Sequence, residues 1–206
     1  MASSRQRGFS LLEMMIALSI SIVLAAVAAV ALQPTFRQQH VNDAYNGTIS
    51  ALRRAHDAAA ADMRIYEVAF TQPGFPASGT ITVTQVGTGS PVLFTTTIPN
   101  DVTFHVEPGV PTSSTTSPFT PDGFGSASNA FDFDQPPSGT GGSNVIYFYP
   151  DGSAQDAAGN VNNGVVYMGI PGQLPTARAV TVWGYTGRIR GYHLTKVANV
   201  WTWSQQ

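Results

Sequence analysis

"RQRGFSLLEMMIALSISIVLAAVAAVAL", Arg5 to Leu32, decides how the rest of this 206-residue chain is read. From Phe9 to Leu32 it carries one charge, Glu13. A helix over that stretch reaches about 36 Å at about 1.5 Å per residue, enough for a hydrocarbon core of about 30 Å. Arg5 and Arg7 precede it, so the positive-inside tendency keeps the N-terminus cytoplasmic and exports the remainder of the chain. Two ordinary readings compete, a cleaved secretory signal and a plain single-span anchor. Small-residue runs at Ala26–Ala28 and Ala29–Ala31 would serve a signal cleavage site. Glu13 suits neither reading, because a carboxylate deep in a span costs about 2.5–3.5 kcal/mol and less only near its end.

Beyond Leu32 the pattern turns amphipathic. Phe36, Val41, Tyr45, Ile49, Leu52, Ala55 and Ala59 recur at helical spacing, with Arg37, Gln38, Asn42, Asn46, Arg53 and Asp57 mostly on other faces. One helix is therefore predicted from about Ser10 to Asp62, on the order of 80 Å long, with one face of its second half ready to lie on a sheet. Pro34 lacks a backbone donor and predicts a kink or local melting there, and Gly47 is a second weak point. Asn46-Gly47-Thr48 matches a glycosylation sequon, but it falls inside this helix.

From Arg64 the period shifts to two. Ile65–Phe70, Thr80–Val86, Val92–Ile98 and Val102–Val106 read as an antiparallel meander, with "GTGS" at Gly87–Ser90 and Asn100-Asp101 as turns. Residues 107–142 are dense in Pro, Gly, Ser and Thr and poor in large apolar side chains. They predict a long exposed loop, with a short strand at Ala130–Phe133. Strands resume at Val145–Tyr149, Gly164–Ile170, Ala177–Leu194 and Val197–Trp203, with Pro150-Asp151-Gly152 as a turn and "GYTG" turning the third of these segments. Trp183, Trp201 and Trp203 read as sheet-packing residues. The fold class is α+β: a long N-terminal helix, apolar then amphipathic, packed on an antiparallel β-sheet head. The divisions are 1–8, 9–32, 33–63 and 64–206.

Composition excludes several kinds of chemistry. The chain has no cysteine, so disulfides, thiol catalysis and cysteine metal sites are ruled out. No nucleophile elbow, phosphate loop or zinc-protease motif occurs, and His40, His56, His105 and His193 are scattered. Asp132 and Asp134, or Asp151 and Asp156, offer oxygens but in no recognisable calcium-loop spacing, and read as surface turns. An enzyme, a metal and a cofactor are not expected. Charge is unevenly placed: from Asp101 to Asp156 all charges are acidic, and from Gly164 onward all four (Arg178, Arg188, Arg190, Lys196) are basic.

The run Gly8-Phe9-Ser10-Leu11-Leu12-Glu13 after a short basic leader resembles the processing site of type IV pilins and type II secretion pseudopilins. The resemblance implies cleavage by a prepilin peptidase between Gly8 and Phe9, making residues 1–8 a leader peptide, and then N-methylation of Phe9. It also gives Glu13 a role. In a filament of packed apolar helices its carboxylate can meet the new Phe9 ammonium of a neighbouring subunit, and losing one partner of such a buried pair costs about 3–5 kcal/mol. Phe9 and Glu13 also lie four apart, so the pair can close within one chain instead. Implied partners are other pilins or pseudopilins, the prepilin peptidase, an inner-membrane assembly platform, and membrane lipid before assembly. The implied location is a single pass in a bacterial inner membrane with a periplasmic head, then a filament.

A second resemblance covers the C-terminal stretch. Tyr149, Pro150, Gly152, Arg178, Val180, Val182, Thr186, Gly187, Arg188, Ile189 and Arg190 look like the recurring pattern of GspH/FimT-type minor pseudopilin domains. The long Pro/Ser/Thr loop and the segment after Arg190 depart from that pattern. The two resemblances imply a structural subunit of a type II secretion pseudopilus or a type IV pilus. An alternative is a minor pilin that captures DNA during uptake. Arg188 and Arg190 alternate on one strand and so share a face, and Arg178 and Lys196, with Tyr192 nearby, would extend a phosphate-binding strip.

Overall fold

The structure is a computed structural model describing residues 10–74, 77–135 and 142–206. Helix α1 runs from Leu11 to Asp62. It is helical throughout, so the melting predicted at Pro34 does not occur. Its first half, in a unit ending at Gln38, has no buried face. The most apolar eighteen-residue window has a mean hydropathy of 2.7 with no residue buried, and Phe36 is also exposed.

The second unit, Gln39–Gln206, holds the rest of α1 and, among the described residues, ten strands. Here α1 buries Val41, Ala44, Tyr45, Thr48, Ala51, Leu52, Ala55 and Ala59, a stripe mostly at spacings of three and four. Four of the eight are alanine, which lets the helix backbone lie close to a sheet. Thr48 is fully buried, its hydroxyl donating to the Ala44 carbonyl, so the sequon closes on a side chain out of reach of solvent.

The strands form two five-stranded antiparallel sheets. The first has the order β3-β2-β1-β5-β6, from β1 (Tyr66–Thr71), β2 (Thr80–Gln85), β3 (Val92–Thr97), β5 (Val145–Phe148) and β6 (Ala154–Gln155). The second has the order β10-β9-β8-β7-β4, from β4 (Phe131–Gln135), β7 (Asn163–Met168), β8 (Arg178–Trp183), β9 (Arg188–Val197) and β10 (Val200–Gln205). One core joins the helix stripe to one face of each sheet. Val68, Phe70, Ile81, Val83, Ile146 and Phe148 come from the first, and Phe133, Val166, Met168, Val180 and Val182 from the second. Each such large side chain contributes roughly 1.5–3 kcal/mol by leaving water. The alternation read from the sequence is what points these residues to one side.

Three expectations are corrected. Val102–Val106 is no strand: only Thr103 bridges, to Gly169, and the Phe104 amide donates to the Gln72 side-chain oxygen at 2.8 Å. Its backbone needs are met without a ladder, and its apolar residues Val102 and Phe104 still enter the core. Val197–Trp203 is not one strand but the end of β9, a turn and the start of β10. Ala198 and Asn199 both take positive φ (47° and 66°), as tight hairpin turns require. Finally, residues 107–130 are not simply exposed. They fold across the outer face of the second sheet and bury Val110 and Ala127 against Val165, Tyr167, Ala179, Tyr192 and Leu194, with Trp201 and Trp203 packed alongside. A Pro/Ser/Thr-rich composition hides this because a few anchoring side chains suffice where the sheet supplies most of the apolar area.

At Gly191 on β9 side chains of the helix lie directly against the sheet backbone. A Cβ there would collide with the Tyr45 hydroxyl and approach Ile49 to 2.9 Å. Beside it, the His193 ring stands edge-on to Tyr45 with centroids 5.0 Å apart, and pairs across the ladder with Arg178. Burial, helped by the Arg178 charge, pushes the His193 imidazole down to about 4. The ring is thus neutral when folded and protonates more readily when unfolded. Its share of stability is present above about pH 6.5 and is lost as pH falls toward 4. With the ring partly open to solvent, we expect this loss to be about 1–2 kcal/mol. Melting the full chain in detergent at pH 7 and pH 5 checks it: His193→Gln should remove that part of the difference, and an unchanged difference would assign it to other groups.

Candidate assembly and binding sites

The leader and the cleavage positions Gly8 and Phe9 lie outside the described residues. Glu13 stands in the first turn of α1, exposed, on a helix half whose other described side chains up to Leu32 are uncharged. Ser10, Leu12, Ile16, Ala17 and Ile20 surround it. Ser19 and Ser21 donate their hydroxyls to the carbonyls of Met15 and Ala17, four residues back, and so present no free donor to an apolar environment.

At the other end of the chain the two halves of the C-terminal pattern meet. The Tyr149–Gly152 turn closes with the Gly152 amide donating to the Tyr149 carbonyl, and Gly152 has φ of 82°. The turn between β8 and β9 places Gly187, φ 57°, against it. A Cβ on Gly187 would collide with the Gly152 carbonyl oxygen and approach the His56 ring on α1. The His56 Nε2 lies 3.2 Å from the same carbonyl, and its ring packs edge-on to Phe148. Pro-Asp-Gly and Thr-Gly-Arg are therefore two sides of one joint that clasps the helix. Glycine at 187 answers both the left-handed φ and the lack of room.

The four basic residues do not gather into one strip. Arg188 and Arg190 do share the outer face of the second sheet, beside Trp183 at 5.1 and 6.0 Å from its ring. Arg178 points the other way. Its ladder partner is His193, on the helix side, and its guanidinium donates to the carbonyls of Pro175 and Ala177. Lys196 lies far along β9 beside Trp201, with Tyr192 and Leu194 between it and Arg190. Arg190 is moreover bound: its Nη1 donates to Asp122 Oδ1 at 2.7 Å.

From the sequence Asp122 is only one acidic residue of the Pro/Gly/Ser/Thr-rich loop, yet it organises this face. Tyr192 donates to the same oxygen at 2.7 Å, and Thr181 to the other. The carboxylate side chain is 5% exposed. Burial pushes its pKa up, but the bonds from Thr181, Tyr192 and Arg190 outweigh it and hold the group below the usual carboxylate range. The residue sits at φ 52°, a left-handed conformation that aspartate tolerates. This hub ties the 107–130 crossing to β8 and β9. Among the described residues, no group of three or more His, Asp and Glu converges to hold a metal ion.

Residues 3–29 match the family model described as the prokaryotic N-terminal methylation motif. No curated protein and no solved structure matches the chain. The chain therefore carries a prepilin-type N-terminal motif and a long apolar helix, on a pilin-like α+β arrangement of one helix and antiparallel sheets. That combination fits a type IV pilin-like substrate of prepilin peptidase, cleaved and methylated, anchored in the inner membrane and assembling with other pilins. Such proteins are structural subunits rather than enzymes.

Proposed function

We propose that this chain is a minor pilin or pseudopilin, processed between Gly8 and Phe9 and built into a type II secretion pseudopilus or a type IV pilus through the first half of α1. The observation that carries the reading is the lone Glu13 near the start of a wholly exposed apolar helix half, within residues matching the methylation motif. A buried carboxylate in that setting is stable only against a cation, and cleavage at Gly8 would create one on Phe9. The head, with its clasped helix, would then be displayed on the periplasmic side. The Tyr149–Gly152 and Thr186–Arg190 joint supports the GspH/FimT-type assignment among such subunits.

The DNA-capture reading gains no support from the arrangement of Arg178, Arg188, Arg190 and Lys196. Arg188 and Lys196 are left as exposed charges on that face, separated along β9 by Tyr192 and Leu194, and two phosphate contacts give little affinity.

The reading is tested by N-terminal sequencing of the chain recovered from membranes of cells with and without a prepilin peptidase. A new N-terminus at N-methylated Phe9, present only with the peptidase, is the expected result. A terminus at Met1 in both, or one near Ala28–Ala31, would replace the proposal with an uncleaved anchor or an ordinary signal.

A further inference from the structure

Each sheet ends in two strands that pair on one side only. Two of these edges are blunted. Strand β6 has two residues and is bridged at Gln155 by Val161, and β4 is bridged at Phe133 by Ser143. The other two, β3 and β10, have six residues each, with no proline and no charged side chain. Proline and charge are among the devices by which proteins protect an open edge. The register of β3 shifts only near its start, and from Phe94 to Thr97 its ladder is regular.

Ladder parity fixes which backbone groups stay open. The Gln206 amide donates to the Gly191 carbonyl at 3.1 Å, and the Thr202 carbonyl accepts from the Thr195 hydroxyl. Val200, Thr202 and Ser204 therefore turn their backbone groups to β9, and those of Trp201 and Trp203 point away from the sheet. On β3 the Ile98 amide donates to the Gly79 carbonyl at 3.0 Å, so Phe94 and Thr96 face β2 while Thr95 and Thr97 face outward. The space beside β10 is open. Two grooves, of about 440 and 480 Å³, share Ser117 and Pro118 and follow the strand from Asn199 to Trp203. The one carboxylate in their lining, Asp122, is already held by Thr181, Tyr192 and Arg190, so a neutral strand suits this edge better than a charged one.

The chain itself carries such a strand in β3. Set antiparallel, the outward groups of the two edges match best in one register, with Thr97 opposite Trp201 and Thr95 opposite Trp203. Each pair sets a β-branched side chain across from an aromatic one, a favourable cross-strand combination. A slip of two residues in either direction keeps only one such pair. We propose that the open edge of β10 takes the β3 edge of a second copy of this chain as an added antiparallel strand in that register. Two different edges are joined, so the contact is heterologous and repeats from copy to copy. The proposal uses only residues of the head and does not rest on processing at Gly8.

The test is disulfide trapping, which the absence of native cysteine makes clean. The register places Thr96 directly opposite Thr202, with Cα atoms about 4.5 Å apart, inside the range a disulfide spans. Full chains carrying Thr96→Cys and Thr202→Cys are mixed in detergent, oxidised and read by non-reducing electrophoresis. The mixture should give linked dimer about tenfold above either variant alone, and above Thr96→Cys mixed with Ser204→Cys, whose Cα atoms would lie about 7–8 Å apart on the diagonal. Thr95→Pro, added to the Thr96→Cys chain, removes an outward amide that the β2 ladder does not use, and should abolish the linked dimer. Thr95→Lys keeps the amide but charges the edge, and should do the same. Either loss must come with a melting temperature near that of the parent, and Thr95→Lys decides if the proline variant fails to fold. No excess over the single variants would overturn the proposal. So would an equal yield from the Ser204→Cys mixture, which would mean proximity without register, or from Thr96→Cys alone, which would mean β3 pairing with β3. Linked dimer that survives Thr95→Lys would overturn it as well.

Discussion

The full-length chain carrying Glu13→Ala is expected to be cleaved after Gly8 as readily as the parent, and to enter filaments roughly a hundredfold less often or worse. Cleavage should survive because the substitution leaves Gly8, Phe9 and the basic leader untouched. Incorporation should fail because a Phe9 ammonium placed among apolar helices would lose its counter-charge. Removing one member of a buried pair costs about 3–5 kcal/mol, and each 1.4 kcal/mol is about tenfold in an equilibrium. A pair closed on an exposed helix before assembly is worth only about 0.2–0.5 kcal/mol, so the large loss is expected in the packed filament and not in the unassembled chain. Immunoblots of sheared filaments and of membranes, normalised to processed subunit, give the ratio. Parent-level incorporation would strip Glu13 of any role in register.

Asp122→Ala should be the most damaging single change in the head away from the central core. It leaves two donors without an acceptor, the hydroxyl of Thr181, which is fully buried, and that of Tyr192, which is 7% exposed. Each orphaned buried group costs about 1–3 kcal/mol, and we expect about 2–4 kcal/mol in all, a fall in Tm of roughly 5–15 °C. Nothing is added for Arg190, whose guanidinium can turn to water. Alanine also fits the left-handed backbone at 122 less well than aspartate does. Asp122→Asn isolates the hydrogen bonds, since asparagine tolerates that conformation and keeps one acceptor oxygen; it should fall between parent and alanine. In a Tyr192→Phe background the alanine change should do less harm, because one of its orphans is already absent. A Tm within about 1 °C of the parent for Asp122→Ala would show that the crossing segment is held by apolar contacts alone.

Much of this molecule is set by order along the chain. An uncharged run long enough to span a membrane, a carboxylate at a fixed distance from Gly8, a helical stripe from Val41 to Ala59 and period-two runs such as Thr80–Gln85 are local patterns. They are fixed by the spacing of side chains on one element, and spacing is what a sequence records. The helix and most strands were therefore legible. Val102–Val106 was misread because its alternation matches a strand, while its amides found the Gln72 side chain and Gly169 instead.

What only the tertiary structure decided is which distant residues meet. Nothing in the order of residues pairs Asp122 with Arg190, or stands Gly187 against Gly152 and His56. Nor does it turn Arg178 to the helix side while Arg188 and Arg190 face outward. A basic strip counted along the chain came apart because strand parity and neighbouring donors, not proximity in sequence, choose the face and the partner of each charge. The physical reason is that burial, hydrogen-bond satisfaction and charge pairing are settled between elements, at distances the covalent chain does not fix.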